Sequence, residues 1–581
     1  MQLRWKQTKT LLSKYLGPLK KQAALLGLLL LAGIGMQLLI PQILRAFIDA
    51  AKAKSGLEIM IRCAWQYILI GLAGQLISTC VTYLSADIGW KATNRLRNDL
   101  TLHCLKLDMP FHQVRTPGEM IERVDGDVNA LVNFFSQFLV SVLGNFILLI
   151  GVLTLVLHEN RWIGLALIGF TVVAMTVLIL VRNMAIPVFK KEREKAAAQM
   201  GFIEERLGGL EDIRANGMGA HALRGFSNVA GELFHASRRS GLARNIVWLI
   251  TMTLFLLGNL MALTLGAHLY LRGAITLGTV YLLFQYTAML RMPLEELTRQ
   301  LQDLQQAGAS MIRIGELLDV TPTIVDGPDA PLPDGPLSVE FDHVTFGYAE
   351  DEPVLKDVSF SIRAGRVLGV LGRTGSGKTT MTRLLFRLYD VNSGDIRIGG
   401  ADLKSLQLDH LRKHIGMVTQ EVQLFHATIR DNLTFFDASI SDERIMQVIG
   451  ELGLQEWFAM LPDGLDTMLQ ASGTGLSAGE SQLLAFTRVF LEDPGLVLLD
   501  EPSSRLDPAT ERLIARAVEQ LLSTRTCIII AHRMETIRRA DEVLILDNGR
   551  IAEYGERAVL EADPDSRFSS LLRTGMEEEL S

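Results

Sequence analysis

The chain has few cysteines and no marked excess of basic residues, and each shortage argues against one class of protein. Its four cysteines (Cys63, Cys80, Cys104 and Cys527) are scattered through 581 residues without metal-binding or redox spacing. We therefore predict free thiols that pack as small hydrophobes and no disulfide framework. A net charge of −7 offers no electrostatic footprint for phosphate backbones, so we expect no nucleic-acid partner.

Long apolar runs, by contrast, are abundant, and they fill only one half of the chain. Mean hydropathy is +0.25 even though 21% of residues are charged. The apolar runs lie before about Gln285, whereas a mixed, Gly-rich sequence follows Pro331. We predict a membrane domain over residues 1–318, an extended Pro- and Gly-rich linker over 319–336, and a soluble domain over 337–581.

Six runs approach the roughly 20 apolar residues that cross a bilayer. They cover residues 23–44, 64–84, 134–157, 163–181, 246–270 and 279–290 with flanks. The sixth is the weakest, because Gln285 and Arg291 interrupt it and Pro293 stops it. The alternative, buried helices of a large soluble core, fits poorly with so many long runs. The first run is too long for a signal-peptide core and lacks a small-residue cleavage site, so we interpret it as a retained span.

Basic residues indicate the orientation of the spans. They cluster before the first span and in the long connections after the second and fourth spans. The first connection, with Arg45, Lys52, Lys54 and Arg62, is a mild counter-signal. The positive-inside rule predicts a multi-pass protein of the cell (inner) membrane whose termini and soluble domain are cytoplasmic.

The two long connections have helical patterns that are broken near the middle. The expected tips are "FHQVRTPGEMIERVDGDV" (111–128) and "EERLGGLEDIRANGMG" (204–219). Pro117-Gly118 and Gly208-Gly209 interrupt the helical pattern there, which predicts two helical extensions joined by a turn in each connection.

The soluble half contains a phosphate-binding motif. "LSVEFDHVTFGY" and "VLKDVSFSI" alternate like antiparallel strands, and then "VLGVLGRTGSGKTTMTRLL" reads as buried strand, Gly-rich loop and helix. The pattern G-x-x-x-x-G-K-[ST] predicts nucleotide binding, with Lys378 on the β/γ oxygens and Thr379 on Mg²⁺. The predicted nucleotide-binding residues of this loop are Gly372, Arg373, Thr374, Gly375, Ser376, Gly377, Lys378, Thr379 and Thr380.

Two further strands end in residues suited to phosphoryl transfer. In "PGLVLLDEPSSRLD" four apolar residues lead to Asp500, a predicted Mg²⁺ ligand, and Glu501, which can polarise the attacking water. "CIIIAHR" is a buried strand ending in His532, where an α/β sheet places its ligands.

With these motifs together, the chain resembles a half-transporter of the ABC exporter superfamily, with six spans followed by one nucleotide-binding domain. The resemblance implies a polytopic α-helical membrane domain followed by an α/β P-loop ATPase. It also implies that Tyr348 stacks on adenine, that Gln420 senses Mg²⁺ and the membrane domain, and that the loop from Ser504 to Asp507 crosses a dimer interface. The two tips match the family's coupling helices. Glu501, His532 and Gln420 are the expected catalytic set, and Thr379, Gln420 and Asp500 the expected metal set.

"LSAGE" matches the family signature, usually Leu-Ser-Gly-Gly-Gln, with two changes. The resemblance implies that Ser477, Ala478, Gly479 and Glu480 face ATP held on a second nucleotide-binding domain. The methyl group of Ala478 leaves less room for a ligand to approach the backbone closely, and the carboxylate of Glu480 mildly repels phosphate. The preceding "LQASGTG" also lacks the usual acidic, Arg-containing run. The two departures favour a heterodimer with a second half-transporter, although a homodimer or harmless drift remains an alternative.

The resemblance implies ATP-driven efflux by alternating access. Intramembrane polar residues (Gln37, Gln75, Gln137, Asn145 and Asn259) are candidate contacts for a small amphiphile such as a lipid, drug-like molecule or peptide, or they bond neighbouring helices. A nucleotide-gated channel or regulator would tolerate loss of Glu501 or His532, and both are present. A soluble ATPase acting on nucleic acid is excluded by the spans, and a peptidase-bearing exporter would need a protease domain before the first span.

Overall fold

The chain forms two compact units. The computed structural model describes residues 13–349, 352–419, 422–470, 476–500, 508–530 and 537–574. The first unit contains the residues up to Lys106 together with Thr116–Val320. The second contains the short segment Leu107–Arg115 and the residues from Thr321 onward. The segment of the first predicted tip before Thr116 therefore belongs with the C-terminal unit, although it lies between two helices of the membrane unit.

Helices dominate the N-terminal half. They are α1 (Lys20–Lys52), α2 (Leu57–Lys106), α3 (Met109–Val114), α4 (Pro117–Ile121), α5 (Asp127–Asn133), α6 (Gly144–Glu159), α7 (Arg161–Gly208), α8 (Leu210–Ala215), α9 (Gly219–Leu271), α10 (Leu277–Met289) and α11 (Arg291–Leu318). π-helical turns over Glu122–Gly126 and Phe134–Leu143 flank α5 and make the third apolar stretch nearly continuous.

Among the described residues, five helical stretches are long and apolar enough to cross a membrane. They contain the first five predicted spans. The sixth predicted span falls on α10, which leads almost directly into α11. Leu290 separates the two helices, and its backbone angles (φ −69°, ψ −19°) remain in the helical region. The weakness of the sixth run in the sequence therefore corresponds to a local irregularity of the helix.

The breaks predicted at the tips are confirmed. Helix α7 ends at Gly208, and α8 begins at Leu210 as a separate short helix. Pro117 opens α4, where the Thr116 side chain accepts a hydrogen bond from the Glu119 amide at 3.3 Å. Helices α7 and α9 contain 48 and 53 residues, or about 70–80 Å each, so both extend far beyond the hydrocarbon layer.

The C-terminal half is built on two sheets. The strands are β1 (Val339–Ala349), β2 (Glu352–Ile362), β3 (Val367–Gly372), β4 (Ser393–Ile398), β5 (Ala401–Asp402), β6 (Ile415–Val418), β7 (Leu496–Asp500), β8 (Thr526–Ile530), β9 (Glu542–Asp547) and β10 (Arg550–Glu556). One sheet has the order β2-β1-β4-β5, and β1 pairs with β2 in the predicted antiparallel sense. The other has the order β10-β9-β3-β8-β7-β6 and is parallel except for β10.

Helices pack around these sheets. They are α12 (Lys378–Leu385), α13 (Leu408–Lys413), α14 (Ile429–Thr434), α15 (Asp442–Glu451), α16 (Gln455–Ala459), α17 (Ala478–Glu492), α18 (Pro508–Thr524), α19 (Arg557–Ala562) and α20 (Arg567–Thr574). The parallel strands are buried on both faces, and alternate side chains join two different cores. Val497 and Leu499 join one core, whereas Leu496 and Leu498 join the other.

The cysteines are free thiols, as predicted. Three of them are buried and Cys80 is exposed. Cys527 lies in β8 with no exposed surface, and this burial raises the pKa of its thiol to about 12. The Cys527 thiol therefore behaves as a small apolar group in the sheet.

An ion pair with a buried carboxylate and a half-exposed arginine joins α5 to α11 in the membrane unit. Asp127 is 2% exposed, and its carboxylate accepts hydrogen bonds from the Ser310 hydroxyl at 2.8 Å and from Arg313 Nε at 2.8 Å. A second guanidinium nitrogen of Arg313 also donates to it. Loss of Arg313 would leave a buried carboxylate with the Ser310 hydroxyl as its only hydrogen-bond partner among the described residues.

We predict that Arg313→Ala lowers the stability of the membrane unit by about 2 kcal/mol, the scale of a hydrogen bond to a buried charge. Thermal unfolding of the detergent-purified chain measures this effect. The matched control is Arg299→Ala, since Arg299 lies on the same helix and pairs with Glu296 at 3.0 Å. The two arginines are similarly exposed, but the Asp127 side chain is 3% exposed and the Glu296 side chain 28%. The control should change stability by less than about 0.5 kcal/mol. Equal losses of stability in the two variants would show that the contact with Asp127 stabilises the unit no more than an exposed ion pair does.

Candidate functional site

The loop after β3 is held in a shape that requires glycine. Gly372, Gly375 and Gly377 have φ angles of 150°, 82° and 109°. A Cβ on Gly372 would lie 2.4 Å from the Leu546 carbonyl oxygen, and one on Gly377 would lie 2.5 Å from Leu355 Cδ2. The backbone angles and the close approach of β9 and β2 therefore disfavour side chains at Gly372 and Gly377, and the loop leads to a cradle of backbone amides at the start of α12.

Two polar side chains are buried inside this cradle. Lys378 is 7% exposed, and its ammonium group donates to the carbonyl oxygens of Gly372 at 2.6 Å and Arg373 at 3.0 Å. Ser376 is 4% exposed, and its hydroxyl has no hydrogen-bond partner among the described residues. A buried cation and an unsatisfied hydroxyl within a ring of amides fit the oxygens of a phosphate group.

The strand ends place further candidate groups at the same edge of the sheet. Val370 of β3 and Asp500 of β7 both pair with Ile530 of β8. Since neighbouring strands lie about 4.8 Å apart, Asp500 is about 10 Å across the sheet from β3. The Thr379 side chain is exposed at the start of α12. The predicted residues Gln420, Glu501, Ser504, Asp507 and His532 lie outside the described residues.

Tyr348 lies beside the start of α12. It lies one residue before the end of β1 with 42% of its surface exposed. Its hydroxyl accepts a hydrogen bond from Arg383 at 3.0 Å and lies 3.2 Å from the Thr380 hydroxyl. The ring packs edge-on against Phe346 and Tyr389. The structure therefore brings Tyr348 next to the phosphate cradle and leaves part of its ring accessible to a base.

The altered signature forms a complete helix cap. The Ser477 hydroxyl accepts from the Glu480 amide at 3.2 Å, and Glu480 Oε2 accepts from the Ser477 amide at 2.7 Å. The other oxygen, Oε1, accepts from the indole nitrogen of Trp457 at 2.9 Å. Each oxygen of the Glu480 carboxylate therefore accepts a hydrogen bond from its own chain. Ala478 is exposed and Gly479 is buried at the beginning of α17.

Sequence reasoning missed Trp457 and Arg488, which anchor α17. The Arg488 guanidinium is 8% exposed and donates to the carbonyl oxygens of Asn432 at 2.7 Å and Gln423 at 3.2 Å. Burial lowers its pKa to about 10. Its partners lie more than fifty residues away in the sequence, and no motif in the chain marks them.

Polar residues of the spans meet in one cavity of the membrane unit. Gln37, Gln75 and Asn145 line a space of about 370 Å³ between α1, α2 and the beginning of α6. Asn259 does not line it, and the side chain of Gln137 lies outside the described residues. Small residues on all three helices leave the room for this cavity, which mixes amide groups with aliphatic surface.

We predict that Glu480→Gln destabilises this chain by about 1–2 kcal/mol, although glutamine is the usual signature residue. The Ser477 amide and the Trp457 indole are both donors, and a glutamine amide offers one acceptor and one donor where the carboxylate offers two acceptors. Trp457→Phe removes one of these donors, so glutamine should cost less in that background.

Thermal unfolding of the wild type, the two single variants and the double variant forms the test. The two substitutions should couple by about 1 kcal/mol. A Glu480→Gln chain as stable as the wild type would contradict the assigned contacts.

Comparison with known proteins places these features in one family. Family sequence models for "ABC transporter transmembrane region" and "ABC transporter" match residues 24–294 and 355–504. The multidrug efflux ATP-binding/permease protein Rv0194 of Mycobacterium tuberculosis is 31% identical over 90% of this chain, which spans only 44% of that relative's length. A fatty acid ABC transporter ATP-binding/permease protein of Mycobacterium bovis is 31% identical over 81% of this chain and 74% of its own length.

A solved structure shows the same architecture. The structure of a bacterial Atm1-family ABC exporter with ATP bound has a TM-score of 0.79 and 26% identity, and the match covers 96% of this chain and 99% of that chain. The chain therefore belongs to the ABC transporter family, as an exporter-type half-transporter with an N-terminal helical transmembrane domain and a C-terminal α/β ATPase domain.

Proposed function

We propose that this chain is one half of a dimeric exporter that uses ATP hydrolysis to move an amphiphilic or hydrophobic substrate out of the cytoplasm. The observation that carries this proposal is the phosphate cradle around Lys378 and Ser376, present on the same chain as five long apolar helices. We divide the chain functionally into a transmembrane domain (1–318), a linker (319–336) and a nucleotide-binding domain (337–581).

The nucleotide chemistry follows from the residues around the cradle. Backbone amides from Gly372 to Thr380 and the Lys378 ammonium hold the phosphates, while Tyr348 stacks on the adenine. Mg²⁺, when bound, neutralises charge on the transferring phosphoryl group. The Thr379 hydroxyl and the Asp500 carboxylate are oxygen ligands of the type that Mg²⁺ prefers, and Gln420 would complete the set. Glu501 orients and polarises the attacking water, and His532 contacts the γ-phosphate.

A complete site requires a second chain. Ser477 and the beginning of α17 present a hydroxyl and a helix N-terminus to a phosphate, and they belong to a different element from the cradle. We propose that they close over ATP held by the partner. We favour a heterodimer, because the signature and the segment before it both depart from the usual pattern. In a homodimer both sites would combine Glu501 with "LSAGE".

The class of substrate is supported by the cavity around Gln37, Gln75 and Asn145, which offers amides within an aliphatic wall. Relatives named for multidrug efflux and for fatty acid transport agree with an amphiphile. The proposed location is the inner membrane with the ATPase domain in the cytoplasm. Arg45 belongs to the first connection, whose basic residues oppose this orientation. It forms an ion pair with Glu159, which weakens it as a signal of orientation.

Reconstituted vesicles with outward-facing ATPase domains test the proposed function. On addition of ATP and Mg²⁺ they should accumulate a fluorescent amphiphile, because ATP binding and hydrolysis shift the membrane domain between two states with different substrate affinity. Vesicles given a non-hydrolysable nucleotide are the control. ATP-driven loss of a preloaded substrate would instead identify an importer.

We predict that Glu501→Gln retains ATP binding while turnover falls at least about a hundredfold, because positioning and charge stabilisation supply most of the rate of phosphoryl transfer. Lys378→Ala should instead weaken binding of the nucleotide itself. Measurement of nucleotide affinity beside steady-state hydrolysis separates the two effects. Near-normal hydrolysis in Glu501→Gln at sites built from this chain's cradle would remove Glu501 from the catalytic role.

Expression of this chain alone tests the choice of partner. If the working assembly is a heterodimer, the isolated chain should be monomeric or form a dimer with little ATPase activity. Size measurement by light scattering, together with hydrolysis assays over a range of ATP concentrations, distinguishes the cases. A stable dimer with robust, cooperative hydrolysis would establish the homodimer.

A further inference from the structure

A cavity of about 910 Å³, open to the surface and lined largely by exposed side chains, lies between α7 and α9 in the membrane unit. It begins where the apolar runs of these two helices end, on the side of the short helix α8 that joins them. Its volume falls in the range of about 300–1,000 Å³ that accommodates a small organic ligand. It is separate from the cavity around Gln37, which lies between other helices.

The lining changes from charged to apolar along the cavity. An ion pair between Lys195 of α7 and Glu232 of α9, 2.6 Å apart, marks the faces by which the antiparallel helices lie side by side. From that pair, α7 runs back to Pro187 and α9 runs on to Ile246, both toward the spans. The apolar lining residues at that end are Pro187, Val188, Leu242, Ala243 and Ile246. The charged end therefore points away from the hydrocarbon and the apolar end toward it.

Cations outnumber acids along the lining. Lys191 and Arg239 line the cavity between its two ends, and His235 lies on the same face of α9. Within the described chain neither Lys191 nor Arg239 forms an ion pair, because the one lining carboxylate, Glu232, is bound to Lys195. The nearby acid Glu192 does not line the cavity and lies 3.9 Å from Arg244.

We propose that this cavity is a loading site for an anionic amphiphile. Lys191 and Arg239 bind the phosphate or carboxylate headgroup, and the alkyl chain extends along the aliphatic end toward the membrane. An amphiphile in the inner leaflet has its charged headgroup toward the cytoplasm and its alkyl chain in the membrane, the same direction as the lining of the cavity. Such a ligand can therefore enter without reversing its orientation. The proposal rests on the proposed export function for its purpose, but ligand binding at this cavity is a separate property.

Photo-crosslinking without ATP tests the site. The assembled transporter is placed in phosphatidylcholine nanodiscs and labelled with a photoreactive dodecyl phosphate, and mass spectrometry maps the labelled peptides. Unlabelled dodecyl phosphate, zwitterionic dodecyl phosphocholine and inorganic phosphate compete in parallel. The variant Lys191→Gln/Arg239→Gln is compared with Lys190→Gln/Arg238→Gln, which removes the same charge from adjacent residues that do not line the cavity.

The label should map to the facing segments of α7 and α9, and dodecyl phosphate should compete best. The cavity variant should weaken its apparent affinity about tenfold, the scale of a lost hydrogen bond to a charged group, while the control variant stays within about twofold. ATP affinity should be unchanged in both variants, which verifies folding.

Several results would overturn the proposal. Equal loss in both variants would mean general attraction to a basic surface, and equal competition by inorganic phosphate would remove the role of the alkyl chain. Failure of the label to reach these segments would indicate that a partner subunit fills the cavity. Since no ATP is present, none of these results depends on transport. Failed vesicle accumulation with intact labelling would contradict export and leave the site standing.

Discussion

The turn after β3 imposes the strictest constraint on this chain. The positive φ angles at Gly372 and Gly377 strain every other residue type, and a Cβ at either position would lie within 2.5 Å of an atom of β9 or β2. The strand that delivers the turn lies between β8 and β9 and is buried throughout. The sheet therefore holds a flexible glycine loop at a fixed position, and the carboxyl ends of its neighbours, including Asp500, converge on the same edge. Binding of a phosphate there requires little rearrangement of the backbone.

The second element proposed to bind phosphate depends on different contacts. Helix α17 is capped by Ser477 and Glu480 at its start and is anchored at Arg488 to the carbonyl oxygens of Asn432 and Gln423. Because both oxygens of Glu480 accept hydrogen bonds from the same chain, the unusual carboxylate is part of the cap and is partly neutralised there. The residue that seemed from sequence to oppose a phosphate therefore stabilises the helix that would approach one.

Local patterns predicted the local structure well. The glycine loop, the antiparallel pair β1–β2 and the helix break at Gly208-Gly209 each depend on neighbouring residues, so their signals lie within a few positions of each other. The bonds of Asp127 to Arg313 and of Trp457 to Glu480 join residues far apart in the sequence, and no single-sequence pattern encodes such pairs. The packing of α10 was not predictable from the sequence for the same reason. Tyr286 of α10 is fully buried, and its hydroxyl donates a hydrogen bond to the carbonyl oxygen of Leu38, on a distant helix, at 2.9 Å. Glu501 and His532, although central to the proposed chemistry, were found from motif alone and lie outside the described residues.

The proposed nucleotide site is divided between two chains, with the cradle on one and the signature on the other. A structure of the assembled transporter with ATP and Mg²⁺ bound in a hydrolysis-deficient variant tests this division most directly. The Ser477 hydroxyl should lie within hydrogen-bond distance of the γ-phosphate of the nucleotide held by the partner subunit. The Glu480 carboxylate should keep its hydrogen bonds to Ser477 and Trp457. A nucleotide enclosed by one chain alone, with Ser477 facing solvent, would show that the site is not shared.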